Sequence, residues 1–416
     1  MEYEGKKIID DRIEEIRHYR FDLSAPPLLK AHLVKFENGE GALIINLHHL
    51  IADAWSVYLL LKELQLIHDS IVSGNNDVLP KLVSQYTDYT NWLNGMMQTV
   101  IFKKKLEYWK TQLAGAPALF SLPTDFARPA VKNFSGSSFS IWLGNDRLVS
   151  LKQFAKEREV SLFMVLLTAF KIVLSRYTAQ NDIVIGTPVA NRVFPGSQDL
   201  IGLFINMVAI RSAVNDEMTV SDLLEKIKET TINAYNNQDV PFEKIVESLG
   251  VKRDTSCLPI VEVLFSFQNL PVKNRLSGFE YEIIKPASNS SKFDLSCIIE
   301  ENENGLECML EYASGLYKPR TIERFFGHFE MILNKIPQIV NDQLVKIDLL
   351  TDEERKLILY TWNDTKEDIP EDCTILDLFA QQVAKTPEHT ALKFRDTILT
   401  YKSLNLLSSK VANNLS

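Results

Sequence analysis

Apolar positions recur along this chain with two different periods. "LLKAHLVKF" (28–36) and "ALIINL" (42–47) are short apolar-rich runs on either side of "ENGEG" (37–41), and together they predict a β-hairpin. From Trp55 the run "WSVYLLLKELQLIHDSI" has helical length and mostly apolar character, which predicts a largely buried helix. Residues 9–19 predict an earlier helix. Two shorter helices fit 83–95 and 100–114, beyond a loop at "SGNNDVLP" (73–80). A second block repeats the mixture. Strands are expected at 138–143, 182–187, 207–213, 259–267, 279–285, 292–300 and 305–312, and helices at 145–158, 161–177, 219–236, 241–248 and 319–335.

Strands and helices mixed in two successive blocks predict an α/β (α+β) protein with two lobes, 1–125 and 126–345, joined through the Pro- and Gly-containing stretch 114–136. Residues 346–372 are polar and charged and read as a linker. "TILDLFAQQVAKTPEHTALKFRDTILTYKSLN" (374–405) then opens a new helix–strand–turn–strand pattern within 373–416, with too little chain for a core.

Composition narrows the class. The 416 residues are 45% hydrophobic and 24% charged, the balance of a soluble globular protein. The net charge of −9 comes with no dense basic block, and "FKKKLEYWK" (102–110) reads as the solvated face of an amphipathic helix, so no nucleic-acid partner is expected. No membrane span is expected either, since "SLFMVLLTAFKIVL" (161–174) is too short and is interrupted by Lys171. The charged N-terminus lacks a signal core, and Cys257, Cys297, Cys308 and Cys373 lack CxxC spacing. Both features fit a reducing cytoplasm.

The stretch with chemical potential is "INLHHLIADAWS" (45–56). Neighbouring side chains on a strand diverge, so one of His48 and His49 is expected against packed structure and the other at the strand's open end. Asp53, just ahead of the helix, is either an N-cap or a carboxylate that orients an imidazole or an arginine. A metal site is not expected, because His68 is the only other local ligand. No G-x-S-x-G is present, so two readings stay open: a satisfied structural histidine pair, or a lone histidine steering a proton while an external nucleophile attacks a bound acyl group.

Further motifs carry a resemblance. "HHLIADAW" (48–55) resembles the HHxxxDG signature of nonribosomal peptide synthetase condensation domains. "YTDYTNW" (86–92), "IGLFINMVAIR" (201–211), "NQDVPFE" (237–243) and "RDTSCLPI" (253–260) follow in that family's order, and "LPTDFARP" (122–129) and "GTPVANR" (186–192) are also similar to it. "LTYKSLN" (399–405) resembles the first core motif of an adenylation domain. The resemblance implies two chloramphenicol-acetyltransferase-like lobes in a V-shaped pseudodimer with a tunnel between them. The first lobe is expected to be incomplete, since the family's early Arg-His motif has no match, and Ala54 stands where the signature has glycine. It implies amide bond formation between a carrier-bound aminoacyl or peptidyl thioester and the α-amine of a second carrier-bound residue. His49, Asp53 and His48 would form the catalytic set: His49 facing the tunnel as base or positioning group, His48 structural, and Asp53 ion-paired with Arg192. Ser266 and Asn206 are implied as substrate contacts, structural hydrogen bonding being the alternative for Asn206. No cofactor would be bound directly; substrates would arrive on the phosphopantetheine of upstream and downstream peptidyl carrier domains, beside an adjoining adenylation domain. An epimerisation domain, or a folded but inactive carrier-docking piece, is the alternative reading. A cyclisation domain, with aspartate in place of the histidine pair, is disfavoured.

Overall fold

In the computed structural model, the described residues are 2–17, 19–36, 39–74, 79–117, 122–251, 254–268, 275–276, 279–280, 284, 289–366 and 373–415. Contacts divide the chain into two compact units, Met1–Leu349 and Leu350–Ser416.

The first unit opens with helix α1 (Glu2–Arg17) and strands β1 (Leu29–Lys35) and β2 (Gly41–Leu47). The strands pair antiparallel from Leu29 opposite Leu47 to Lys35 opposite Gly41, which is the expected hairpin; residues 37–38 of its turn lie outside the described residues. Asn46 Nδ2 donates to the Ile16 carbonyl of α1 at 3.2 Å. Helix α2 (Ala54–Ser73) begins at the Asp53 cap and ends at Gly74, whose φ of 76° reverses the chain without a Cβ penalty. The expectation of a largely buried α2 is corrected. Ser56, Leu59 and Ser70 are buried, but Val57, Leu64, Ile67 and Ile71 are exposed, since the only described sheet in this part of the chain is the two-stranded hairpin.

Helices α3 (Tyr86–Met96) and α4 (Val100–Leu113) follow. Phe102, Trp109 and Leu113 of α4 sink into the core of the second block, where Trp109 Nε1 donates to the Asn237 carbonyl at 3.0 Å and Lys105 pairs with Asp239 at 2.7 Å. Strand β3 (Gly136–Gly144) leads into helices α5 (Asn145–Glu157) and α6 (Leu162–Thr178), then strands β4 (Asp182–Val189) and β5 (Asn206–Ala213). Helices α7 (Val220–Asn236) and α8 (Phe242–Leu249) precede strand β6 (Val263–Gln268) and the two-residue strands β7 (Arg275–Leu276) and β8 (Phe279–Glu280). Strands β9 (Leu295–Asn302) and β10 (Gly305–Ala313) and helix α9 (Pro319–Lys335) complete the block.

The main sheet has six strands in the order β3-β10-β9-β6-β4-β5, parallel at β9-β6 and β6-β4 and antiparallel elsewhere. α6 is apolar on every side and every residue from Leu162 to Leu174 is buried, as expected of a helix enclosed by protein. Its Phe163 and Phe170 pack on Phe265 of β6, and Phe170 also meets Phe325 and Phe329 of α9.

Two predicted strands are trimmed. The run 259–267 becomes a strand only at Val263, because Pro259 has no N–H to pair and Ile260 sits at φ 70°. Of 279–285, only Phe279–Glu280 is a strand, and residues 281–283 and 285 lie outside the described residues.

The expected linker 346–372, which begins at the end of the first unit and continues into the second, is not featureless. Thr351 and Glu354 cap each other's backbone and start helix α10 (Asp352–Lys356), which runs on as a π-turn over Leu357–Thr361; residues 367–372 lie outside the described residues. Helix α11 (Ile375–Lys385), strands β11 (Thr390–Phe394) and β12 (Thr397–Thr400) and helix α12 (Tyr401–Leu415) follow. No described residue from 350 onward is buried.

Among the described residues no single helix is long and apolar enough to cross a membrane.

Candidate active site at the lobe junction

The histidine pair leaves the hairpin where β2 ends. The His48 N–H still donates to the Leu28 carbonyl at 3.0 Å, continuing the ladder by one step, and the Ile51 N–H closes a turn onto the His48 carbonyl at 3.1 Å. The two imidazoles then diverge, as the strand argument required. His48 is half-buried, edge-on to Phe21 with ring centroids 5.9 Å apart. His49 is exposed.

Their hydrogen bonds also differ in kind. The Leu50 N–H donates to His48 Nδ1 at 3.1 Å, so a neutral His48 carries its proton on Nε2. His49 Nδ1 lies 2.7 Å from the Ala52 carbonyl oxygen, which can only accept, so Nδ1 is the donor and a neutral His49 keeps a lone pair on Nε2. Two adjacent histidines are thus held in opposite tautomers, and only the exposed one presents a proton acceptor away from the backbone.

Asp53 fills both roles left open for it. As N-cap of α2 its Oδ1 accepts from the Ser56 N–H at 2.8 Å. The same Oδ1 takes Arg192 Nη2 at 2.9 Å, with the two side chains 3% and 1% exposed. Asp53 Oδ2 accepts the Phe204 N–H at 3.1 Å. Burial draws Arg192 below the usual guanidinium range and the Asp53 charge acts against that shift. Arg192 Nη1 also donates to the carbonyls of Ser197 and Leu200, and its guanidinium lies 4.3 Å from the Phe204 ring centroid. Asn191, at φ 50°, turns the chain out of β4 and delivers this arginine; asparagine tolerates that left-handed backbone better than most residues.

The segment 192–206 therefore straps the second block onto the first. Trp55 Nε1 donates to the Gln198 carbonyl at 2.9 Å, and Tyr86 Oη to the Leu203 carbonyl at 2.7 Å. Tyr86 and Tyr89 of α3 pack around Phe204 at 5.2 and 4.6 Å, with Leu200 buried beside them. "YTDYTNW" is thus packing between the two blocks. Burial raises the Tyr86 phenol and pushes Tyr89 up to about 12.

The remaining expected residues sit apart from this cluster. Asn206 Nδ2 donates to the carbonyls of Gln238 and Val240, both at 2.7 Å, and its Oδ1 accepts the Phe242 N–H at 3.1 Å. Both amide hydrogens are committed to the turn before α8, which favours the structural alternative over a substrate contact. Ser266 is buried on β6, between Phe265 and Phe267 and opposite Ile298 of β9. Ala54 is the first residue of α2, exposed and without positive φ, so a methyl there meets no backbone strain. Sequence reasoning missed Ser56 and Gly202. The Ser56 hydroxyl contacts Asp53, Arg192 and both backbone groups of Gly202, and a Cβ on Gly202 would lie 2.2 Å from the Tyr86 ring.

The site is a charged pair buried across the junction of the two blocks, beside an exposed histidine whose Nδ1 is held by a backbone carbonyl. The condensation domain family model matches residues 2–359, and the chain belongs to that family. It is 38% identical over 403 residues to gramicidin S synthase 2 of Brevibacillus brevis, covering 95% of this chain and 9% of that protein. It is 35% identical over 399 residues to tyrocidine synthase 3 of Brevibacillus parabrevis, covering 95% and 6%. The chain therefore spans about a tenth or less of the length of these relatives. A four-domain nonribosomal peptide synthetase solved with AMP and glycine superposes with a TM-score of 0.76 at 21% identity, covering 98% of this chain and 32% of that one. The first condensation domain of the CDA synthetase gives 0.70 at 17%, covering 83% and 76%. These two likenesses establish the fold, mixed α/β of the chloramphenicol-acetyltransferase type.

Proposed function

We propose that this chain joins a carrier-bound aminoacyl or peptidyl thioester to the α-amine of a second carrier-bound aminoacyl group. The acceptor amine attacks the thioester carbonyl, the C–S bond breaks, and an amide and a free thiol result. The observation that carries this reading is the His49 Nδ1–Ala52 hydrogen bond, which leaves an Nε2 lone pair at an exposed position. That nitrogen takes or orients the amine proton as the tetrahedral intermediate forms. An α-amine titrates near 8, so a useful neutral fraction exists at pH 7 and much of the rate gain comes from orientation. In this reading Asp53 and Arg192 hold the turn that carries His49, and Ser266 and Asn206 lie outside the reacting groups.

The substrates are proposed to arrive as pantetheine thioesters on peptidyl carrier domains, in a cytoplasmic synthetase, with residues 373–416 as the opening of an adenylation domain. The synthase names of the relatives support a peptide product.

The test is a single-turnover incubation of the chain with two loaded carrier proteins, in heavy water, read by mass spectrometry. A dipeptidyl thioester on the acceptor carrier, without deuterium at the donor Cα, supports condensation. Deuterium at that carbon without a new amide supports epimerisation, and neither product leaves a docking role.

A further inference from the structure

We infer that Ser56 is a positioning residue that locks the reactive imidazole into its working tautomer, linking the strap of the second block to His49. The inference rests on the proposed role of His49. Ser56 is buried, and its Oγ lies 2.7 Å from Asp53 Oδ1, 2.8 Å from the Gly202 carbonyl oxygen, 3.0 Å from the Gly202 nitrogen and 3.1 Å from Arg192 Nη2. A hydroxyl has one hydrogen and two lone pairs. The lone pairs accept from Gly202 N–H and Arg192 Nη2–H, and the hydrogen goes to Asp53 Oδ1 or to the Gly202 carbonyl. The hydrogen-bonding capacity of the hydroxyl is full.

None of this is needed to start α2. The cap is already made by the Ser56 backbone N–H on Asp53 Oδ1. What the hydroxyl adds is a tie between the carboxylate, the guanidinium and the strap. Asp53 is held at Oδ1 by Ser56 and Arg192 and at Oδ2 by the Phe204 N–H, which fixes the rotation of its carboxylate. The preceding peptide carries the Ala52 carbonyl that receives His49 Nδ1–H. Without the hydroxyl, Gly202 loses its tie to the first turn of α2 and Arg192 loses one of its acceptors, so the 51–54 turn is less firmly braced against the strap; the 52–53 peptide then shifts and the 2.7 Å bond to His49 lengthens. The imidazole then divides between tautomers, and the fraction with hydrogen on Nε2 has no lone pair for the amine.

The test uses the full chain with Ser56→Ala and Ser56→Thr. Single-turnover rates are followed against acceptor-carrier concentration, and the His49 tautomer is read without substrate by 15N imidazole NMR. Ser56→Ala is expected to lower the limiting rate about ten- to a hundredfold, with half-saturation within about twofold, since small misplacements of reacting groups cost on that scale. His49 should shift from Nδ1–H to a mixture of tautomers, and Ser56→Thr, which keeps the hydroxyl, should restore both readouts. A Ser56→Ala rate within twofold of wild type overturns the inference. So does a fall in rate with the Nδ1–H tautomer intact, or a Ser56→Thr variant as slow as Ser56→Ala. If Ser56→Ala does not fold, Ser56→Cys, of similar shape but a weak donor, replaces it, and a wild-type rate or tautomer there overturns the inference too. Absence of product from the wild-type chain strikes the proposed function alone, because the tautomer comparison needs no substrate.

Discussion

Replacing Asp53 with alanine removes one charge of a pair whose side chains are 3% and 1% exposed. It strands Arg192 beside Phe204, where one nitrogen of the guanidinium, Nε, already has no hydrogen-bond partner. It also leaves the Ser56 and Phe204 backbone N–H groups without acceptors. Breaking a buried ion pair from one side costs about 3–5 kcal/mol, and each orphaned buried N–H adds about 1–3 kcal/mol. The cost should fall first on the strap, because Phe204 N–H is held by Asp53 and the ring beside it is packed by Tyr86 and Tyr89. Hydrogen exchange resolves this directly. The Phe204 and Ser56 amides should exchange at least about a hundredfold faster in Asp53→Ala, the equivalent of about 3 kcal/mol, while amides in the centre of β9 keep their wild-type rates. A double-mutant cycle with Arg192→Met should show about 1–3 kcal/mol of coupling. Unchanged exchange at Phe204, or fully additive effects in the cycle, would refute the claim that this pair ties the two blocks together.

Gly202→Ala would place a methyl 2.2 Å from a Tyr86 ring carbon and should destabilise the strap by about 1–3 kcal/mol in denaturant titration; a change under about 0.5 kcal/mol would count against the packing described. Asn206→Ala leaves Gln238 and Val240 carbonyls and the Phe242 N–H unpaired and should cost about 2–4 kcal/mol in stability, with half-saturation for either loaded carrier within twofold; a tenfold weaker half-saturation at unchanged stability would restore Asn206 as a substrate contact. Lys171, wholly buried and donating to the Ile183 and Ile210 carbonyls and Ser212 Oγ, is drawn by burial from 10.5 down to about 7. The unfolded chain therefore holds the extra proton between these values, so this group's penalty is complete below about pH 7 and is relieved as pH rises toward 10.5. From pH 7 to 9 the stability advantage of Lys171→Met over wild type should shrink by about 2–3 kcal/mol, and a pH-independent difference would show that Lys171 does not titrate there.

Sequence periodicity recovered the framework where side chains pack on one face or on all faces, as in the β1–β2 hairpin, α3, α6 and α9. It failed where the backbone decides. Ile260 at φ 70° delays β6, and nothing in its side chain announces that conformation. The cap at 351–354 was readable as Thr-x-x-Glu, but the polar composition around it masked a single turn of helix. At the site, divergence of His48 and His49 followed from strand geometry, and the cap role of Asp53 from its position. The Arg192 partner came only through the resemblance, since 139 residues separate it from Asp53. Ser56 and Gly202 stayed hidden because a serine in the first turn of a helix and a glycine in a loop are ordinary, and only the tertiary contact between them gives either a role.

The most direct test of the central claim is the single-turnover condensation rate of wild type, His49→Gln and His48→Gln with the same pair of loaded carriers at pH 7. The account predicts amide product from wild type, a loss of about a hundredfold or more in His49→Gln, and a rate within about tenfold of wild type for His48→Gln. Full-rate product from His49→Gln would contradict it.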